Sequence, residues 1–137
     1  MDRIRKPGTM FVAVLVTIAG LVAGSGPASA ARGPRIRWIG TQADALALAK
    51  EARKPVLVDV WAIWCAPCKA MATRTYGNPQ IIKASEQFVT LRINASANDG
   101  FMMKYGATIL PTTLFLDHQG RLLGKISGVI GPTDLYG

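Results

Sequence analysis

The spacing of apolar and polar residues between positions 41 and 76 predicts a helix, a strand and a second helix. In TQADALALAKEAR, residues 41–53, alanine and leucine recur at helical spacing. Thr41 is placed as the N-cap, with Asp44 three residues on in a variant of the capping box. PVLVDVW, residues 55–61, is apolar and β-branched almost throughout, as in a central strand buried on both faces. CAPCKAMATRTY, residues 65–76, then reads as helical.

The second half of the chain continues the alternation of helices and strands. Asn78-Pro79 is expected to cap and open a helix that runs to about Glu86. The remaining predicted elements are a strand over FVTLRINA (88–95), a short helix over GFMMKY begun by Asn98 or Asp99, and two strands in TTLFLDHQGRLLGKIS joined by a turn at Asp117–Gly120. Ile36–Ile39 could add an edge strand. This order predicts an α/β sandwich with a central mixed sheet, in which a parallel part is built from βαβ units and an antiparallel hairpin forms the C-terminal edge.

The first thirty residues have the order of a secretory signal. A basic head (Arg3, Arg5, Lys6) precedes an apolar stretch of about 14 residues and then GSGPASA, which supplies an A-x-A cleavage site. We expect a signal peptide at 1–30, cleaved after Ala30, and therefore export to the periplasm or another oxidising compartment. The alternative is an uncleaved N-terminal membrane anchor, for which the apolar run is short of the roughly 20 residues that a spanning helix needs.

Residues 31–137 are enough for one domain, with 31–40 as a leader and 41–137 as the folded part. Outside the signal, 13 basic and seven acidic residues leave a net charge of +6. The basic residues, Arg92 among them, are scattered without runs or interleaved aromatics, so they are interpreted as a solvated surface, and nucleic-acid binding has little support.

Both cysteines of the chain, Cys65 and Cys68, lie where the predicted strand 55–61 gives way to a helix. The free amides and dipole of a helix N-terminus stabilise a thiolate, so Cys65 is expected to be nucleophilic near neutral pH. Cys68 is one turn further in, close enough to bridge and expected to be more shielded. A structural disulfide is the alternative, but a bridge over so short a loop adds little stability. Short exposed bridges are typically labile or catalytic.

Metal binding is the other alternative for the cysteine pair. A closed zinc site needs four ligands, and the chain offers only these two cysteines and His118, which is placed in a predicted turn. Copper held by two thiolates, with help from His118 or the Met102-Met103 pair, stays open on ligand softness. The methionines are more simply explained as core residues of a helix. No stable metal and no cofactor are expected.

VDVWAIWCAPCKAM, residues 58–71, closely resembles the active-site stretch of the thioredoxin family. The match includes an acid six residues before the first cysteine, two tryptophans and the W-C-x-P-C-K core. GATILPTTLFLD, residues 106–117, resembles the segment that holds the family's cis-proline. ARKPVLVDVWAIWC and TYGNPQIIKASEQFVTLRINAS are most similar to an exported branch, the C-terminal domain of DsbD-type thiol:disulfide interchange proteins. The resemblance covers most of residues 41–130 and implies a thioredoxin-like sandwich with helices on both faces.

The resemblance implies a role for each matching residue. Cys65 would be the attacking thiolate and Cys68 the resolving thiol. Asp59, as the family's buried acid, would accept or relay the Cys68 proton. The remaining residues would form the surroundings: Trp64, Ala66 and Pro67 as active-site support, with Trp64 shielding the disulfide, and Leu110 and cis Pro111 as the groove for a client's backbone.

Two positions depart from the family pattern. Thioredoxins have a lysine near the buried acid, and Thr90 is aligned there, so proton relay is expected to differ. The sequence ends at GPTDLYG, where the family continues into a closing helix, and only a short helix from Pro132 is expected.

The resemblance also implies the reaction and its partners. The reaction would be thiol–disulfide exchange with protein clients, without a metal or organic cofactor. Ala66-Pro67 lacks the histidine typical of strongly oxidising relatives, which favours a reductant supplied by a membrane electron donor. The alternatives are a disulfide oxidase or isomerase, and a copper-binding or chaperone module on the same fold.

Overall fold

A computed structural model of the chain describes residues 33–135. The predicted signal peptide, its cleavage site after Ala30 and the first two residues of the leader lie outside this range. The described elements are α1 (Gln42–Ala52), β1 (Val56–Trp61), α2 (Ala66–Arg74), α3 (Pro79–Ser85), β2 (Val89–Asn94), a 3₁₀ helix (Ala95–Ala97), α4 (Asp99–Tyr105), β3 (Thr112–Leu116), β4 (Leu122–Ser127) and a second 3₁₀ helix (Pro132–Leu135).

The four strands form one mixed sheet in the order β2-β1-β3-β4. β1 runs parallel to β2, with Asp59 directly opposite Arg92. β1 is antiparallel to β3, and β3 is antiparallel to β4. The predicted α/β class is therefore confirmed, with β1 in the interior of the sheet.

Helix α1 begins where the capping signal predicts. Thr41 has an extended backbone, and its hydroxyl accepts a hydrogen bond from the backbone N–H of Asp44. The helix ends at Arg53, which adopts a left-handed conformation with φ 52°. Ala45 and Ala49 are fully buried, so the small side chains of this helix set how closely it packs on the sheet.

Replacing Thr41 by alanine is expected to lower the free energy of unfolding by about 1 kcal/mol, because the Asp44 amide loses its acceptor. Urea denaturation of both variants measures the change. Thr73→Ala is the matched control, since the exposed Thr73 hydroxyl bonds only to carbonyls within its own helix. Equal losses in the two variants would contradict a capping role for Thr41.

The two faces of the sheet are covered by different helices. The larger cluster contains alternate residues of β1 and β2 together with buried residues of α1 and α4, among them Val58, Leu91, Ala49 and Phe101. On the other face a smaller cluster of Met71, Tyr76, Ile81 and Ile130 joins α2 and α3 to the sheet. Asp59, being out of phase with its neighbours Val58 and Val60, belongs to this second face.

The β3–β4 hairpin is closed by the predicted turn. Asp117 Oδ1 accepts hydrogen bonds from the backbone N–H groups of Gln119 and Arg121. Gly120 has φ +84°, a conformation that favours glycine.

The predicted edge strand at Ile36–Ile39 is wrong except at its last residue. Ile39 forms an isolated parallel bridge to Leu91. The carbonyl of Arg37, two residues earlier, accepts a hydrogen bond from the hydroxyl of Thr90 and so is not part of a backbone ladder. The side chains of Ile36 and Trp38 pack instead against the smaller cluster, that of Met71, Tyr76, Ile81 and Ile130. This segment is a strap along β2.

Within residues 33–135, none of the helices combines the length and the apolar character needed to cross a membrane.

Candidate active site

Cys65 and Cys68 form a disulfide at the junction of β1 and α2, with their Cα atoms 5.3 Å apart. Residues 62–65 carry the chain from the end of β1 to the first turn of α2. Pro67 lies in that first turn, where a missing backbone N–H costs nothing. The strand therefore places both cysteines at the end of the sheet.

Cys65 is the N-cap residue of α2. Its Sγ lies 3.3 Å from the backbone N of Cys68 and accepts a hydrogen bond from it. The same N–H and the helix dipole would stabilise negative charge on Cys65 once the disulfide is reduced. The expected difference in shielding is small in this oxidised form, since Cys65 is 4% and Cys68 2% exposed.

Apolar side chains surround the disulfide. Trp61 and Leu110 are partly buried and pack against the cluster of Ala62, Cys65 and Cys68. Trp64 is 70% exposed, and its indole Nε1 donates to Ser96 Oγ at 3.2 Å. Trp61 is therefore the tryptophan that packs against the disulfide cluster.

Two segments beside the disulfide, residues 61–68 and 106–116, form an exposed rim without charged side chains. Ile63 is 67% and Ile109 57% exposed, and they are sequence neighbours of Ala62 and Leu110, which pack at the disulfide. Ala66 and Pro67 are also exposed. Residues 61–68 and 106–116 contain no charged side chain. The surface around the cysteines thus offers apolar contact to a partner.

The Leu110–Pro111 peptide bond is cis. Thr112 Oγ1 donates to the carbonyl of Ile109 at 2.6 Å, and the backbone N–H of Gly128 donates to the carbonyl of Pro111. Pro111 itself is buried. The end of the loop that follows α4 is therefore held by hydrogen bonds where Leu110 packs against the disulfide cluster.

Asp59 is buried in the middle of β1 and forms an ion pair with Arg92 of β2. The carboxylate is 2% exposed, and Arg92 Nε donates to its Oδ2 at 2.9 Å. Burial raises the pKa of Asp59 from 3.8 to about 6, against the lowering effect of the Arg92 charge and hydrogen bond. Asp59 can therefore exchange a proton near neutral pH.

The interpretation that Arg92 belongs to a solvated surface is wrong, because Arg92 forms the ion pair with Asp59. Thr90, which was aligned with the lysine of the family, does not lie opposite Asp59. Thr90 lies opposite Leu57, and its hydroxyl donates to the carbonyl of Arg37. Arg92, two residues on, lies opposite Asp59. The sequence did contain a signal, because each of the two strands has a single charged residue and the two charges are opposite.

Tyr76 and Thr113 complete the buried polar group, and neither was singled out from the sequence. Tyr76 Oη lies 3.1 Å from Thr113 Oγ1, and Thr113 is directly opposite Asp59 in β3. Burial, followed by the charge of Asp59, raises the pKa of the Tyr76 phenol. Tyr76 therefore stays neutral beside the carboxylate.

The residues considered for metal binding are not gathered with the cysteines. Within residues 33–135, no three side chains of His, Cys, Asp or Glu are placed to hold one ion. His118 lies in the β3–β4 turn. Met102 packs on the larger cluster, whereas Met103 is 80% exposed, so the interpretation of both methionines as core holds only for Met102.

Comparisons with known proteins agree with this geometry. The family model described as Thioredoxin-like matches residues 37–118. The thiol:disulfide interchange protein DsbD of Escherichia coli (strain K12) is 39% identical over 79 residues. That match covers 55% of this chain and 14% of DsbD, so the chain spans only a small part of the length of this relative.

Solved structures support the fold. The solution structure of a thioredoxin from Thermus thermophilus superposes with a TM-score of 0.67 at 22% identity, covering 74% of this chain and 82% of that one. The DsbH oxidoreductase superposes with a TM-score of 0.66 at 17% identity, covering 74% and 80%. With a family model that spans most of the described residues and a cysteine pair in the matching position, the chain belongs to the thioredoxin-like family.

Proposed function

We propose that this protein is an exported thiol:disulfide oxidoreductase that reduces disulfides in protein clients through Cys65 and Cys68. The observation that carries the proposal is the placement of the Cys65–Cys68 disulfide at the N-terminus of α2. An N-cap thiol receives the stabilisation that an exchange nucleophile needs. The apolar core clusters on both faces of the sheet hold the domain together independently of this bridge.

The exchange proceeds in two steps with the electrons accounted for. The Cys65 thiolate attacks one sulfur of the client disulfide, so that the client's S–S bond breaks, a mixed disulfide forms and one client thiolate leaves. Cys68 then attacks the Cys65 sulfur, which re-forms the Cys65–Cys68 bond and releases the second client thiolate. The client gains two electrons and this protein loses two.

Asp59 serves as the acceptor of the Cys68 proton in the second step. Its pKa of about 6 means that it is mostly ionised at pH 7 yet basic enough to take a proton. Arg92, in place of the family's lysine, is the cation beside it and keeps the pKa of the carboxyl lower than burial alone would make it.

Clients would be held by the uncharged rim. Trp64, Ala66 and Pro67 would lie beside the attacked disulfide, with Leu110 and cis Pro111 as the opposite wall of the groove. Exposed Ile63 and Ile109 extend this surface. A client segment with apolar residues next to its disulfide fits these contacts best.

Residues 1–30 act as the signal peptide in this proposal, and 41–137 form the catalytic domain. Thiol chemistry in an oxidising compartment needs a supply of electrons, so we include a membrane electron donor among the partners. Candidate clients are oxidised periplasmic proteins and the thiols of cytochrome maturation. The resemblance to DsbD, a thiol:disulfide interchange protein, supports the proposal that the chain exchanges disulfides with other proteins outside the cytoplasm.

The proposed direction predicts the reduction potential of the Cys65–Cys68 pair. Alkylation of thiols after equilibration in graded redox buffers measures it. A reductant is expected near the thioredoxin value of about −270 mV. A value near the strongly oxidising end, about −120 mV, would contradict the direction and make the protein a disulfide donor. The Cys65→Ser/Cys68→Ser double variant is the control, since it has no cysteine left and should not be alkylated in any of the buffers.

A further inference from the structure

The guanidinium of Arg92 is held by more than its ion pair. Its Cζ lies 4.5 Å from the ring centroid of Trp61 and 5.9 Å from that of Trp38. Both distances are within the range of cation–π attraction. Arg92 is therefore in contact with the Asp59 carboxylate and the rings of two tryptophans, one of which packs against the disulfide cluster.

Trp38 is held in place without the Arg92 side chain, by backbone bonds of its neighbour and by an aromatic contact. It belongs to the strap before α1, where Ile39 N–H donates to the carbonyl of Thr90 and Arg92 N–H donates to the carbonyl of Ile39. Its ring meets that of Tyr76 edge to face at a centroid distance of 4.9 Å. Trp38 thus connects Arg92 to Tyr76, two residues that interact electrostatically with Asp59.

We propose that Trp38 is a positioning residue for the exchange reaction, which holds the Arg92 guanidinium in place between Asp59 and Trp61. The inference rests on the proposed function, in which Asp59 receives the Cys68 proton. The Arg92 side chain is 26% exposed, so without Trp38 it has a route to solvent. Arginine suits this position because its planar group can stack on indoles and pair with a carboxylate at the same time.

Whether the loss of Trp38 raises or lowers the pKa of Asp59 depends on the groups that face this carboxyl. In the described part of the chain they are Arg92 from β2, the Tyr76 phenol from the segment after α2, and the uncharged Thr113 from β3. The cysteines are in a disulfide and do not titrate. Arg92 is the group that lowers the pKa of Asp59, so loosening Arg92 must raise that pKa above about 6.

The test is the titration of the Asp59 carboxyl carbon by ¹³C NMR in the oxidised protein. Trp38→Leu is expected to shift the titration upward by roughly half a pKa unit, about a threefold change in the ionisation constant. Trp38→Phe keeps an aromatic face and should shift it less. Phe88→Leu is the matched control, because Phe88 pairs with Phe115 away from Arg92 and its loss should leave Asp59 unchanged.

A second measurement follows the resolving step. In single-turnover reduction of insulin, the acid limb of the rate against pH should move upward with Trp38→Leu by the same amount. An unchanged or lowered Asp59 titration in folded Trp38→Leu would overturn the inference. Should that variant not fold, Trp38→Met, which fills the site without an aromatic face, carries the same expectation.

The two proposals fail separately. If the wild-type protein reduces no protein disulfide, the proposed function is wrong, while the carboxyl titration still decides whether Trp38 positions Arg92. If insulin is reduced but the titration does not respond to Trp38, only the positioning role is lost.

Discussion

Cys68→Ser is expected to hold client proteins as stable mixed disulfides on Cys65, whereas Cys65→Ser should lower the rate of disulfide reduction by a factor of about 10³ or more. The reason is that the two cysteines at the start of α2 have different roles, Cys65 as the nucleophile and Cys68 as the resolving thiol. Cys65 caps the helix and can attack, and removal of the Cys68 sulfur leaves nothing to displace the client. Non-reducing gels of an extract from the exporting cell, followed by mass spectrometry, detect the complexes.

The control for this experiment is the Cys65→Ser/Cys68→Ser double variant, which should trap no client. Complexes that form equally through either cysteine would contradict the assignment of Cys65 as the nucleophile. If no mixed disulfide is trapped and both single variants instead lose bound Cu(I), the copper-binding alternative would replace the enzyme.

Asp59→Asn is expected to stabilise the protein at pH 7 while slowing the exchange. Burial raises the pKa of Asp59 from 3.8 to about 6, which corresponds to roughly 3 kcal/mol of destabilisation when the buried carboxylate is ionised. That pKa already includes the attraction of Arg92, so a neutral amide at this position is expected to raise the free energy of unfolding by up to about 3 kcal/mol at pH 7. The loss of a positioned base should slow the resolving step by roughly tenfold to a hundredfold.

The sign of the pH dependence follows from the raised pKa. Folded Asp59 binds its proton more tightly than unfolded Asp59, so its stabilising contribution is complete below about pH 3.8 and is lost as the pH rises through about 6. Stability of the wild type, corrected for other groups, should therefore fall over this window. Asp59→Asn should lack this fall.

Urea denaturation of the oxidised protein at pH 4, 5, 6 and 7 measures the effect. The control is Asp99→Asn, in which an exposed acid of the first turn of α4 is neutralised. Removing a charge that favours the helix N-terminus should cost about 0.5 kcal/mol, the opposite sign. If Asp59→Asn were less stable than the wild type at pH 7, the inference that burial of the ionised carboxylate destabilises the fold would be wrong.

Much of the fold could be predicted because its signals are local. Thr41 and Asn78-Pro79 mark helix starts through bonds made within a few residues of chain. The apolar run of β1 and the turn at Asp117 are local in the same sense. The position of the cysteine pair at a helix N-terminus could also be predicted, since the strand, the motif and the helix are consecutive in the sequence.

The strap at residues 36–39 shows where such signals fail. Its apolar residues suit a strand, but whether they pair or pack is decided by what lies beside them. Here the Thr90 hydroxyl donates a hydrogen bond to the Arg37 carbonyl. The side chains of Ile36 and Trp38 pack against the smaller cluster. Neither competitor is near in sequence.

By itself the sequence determined the order of the elements, the place of Cys65 and Cys68 at a helix N-terminus, and an acid within a buried strand. The tertiary structure alone decided that Arg92 is the partner of Asp59, that Trp61 packs against the disulfide cluster, and that Trp38 and Tyr76 gather on the same face of the sheet. The physical reason is register. A shift of one residue in the pairing of β1 with β2 would send Arg92 to the opposite face, and that alignment is fixed by the packing of the whole sheet.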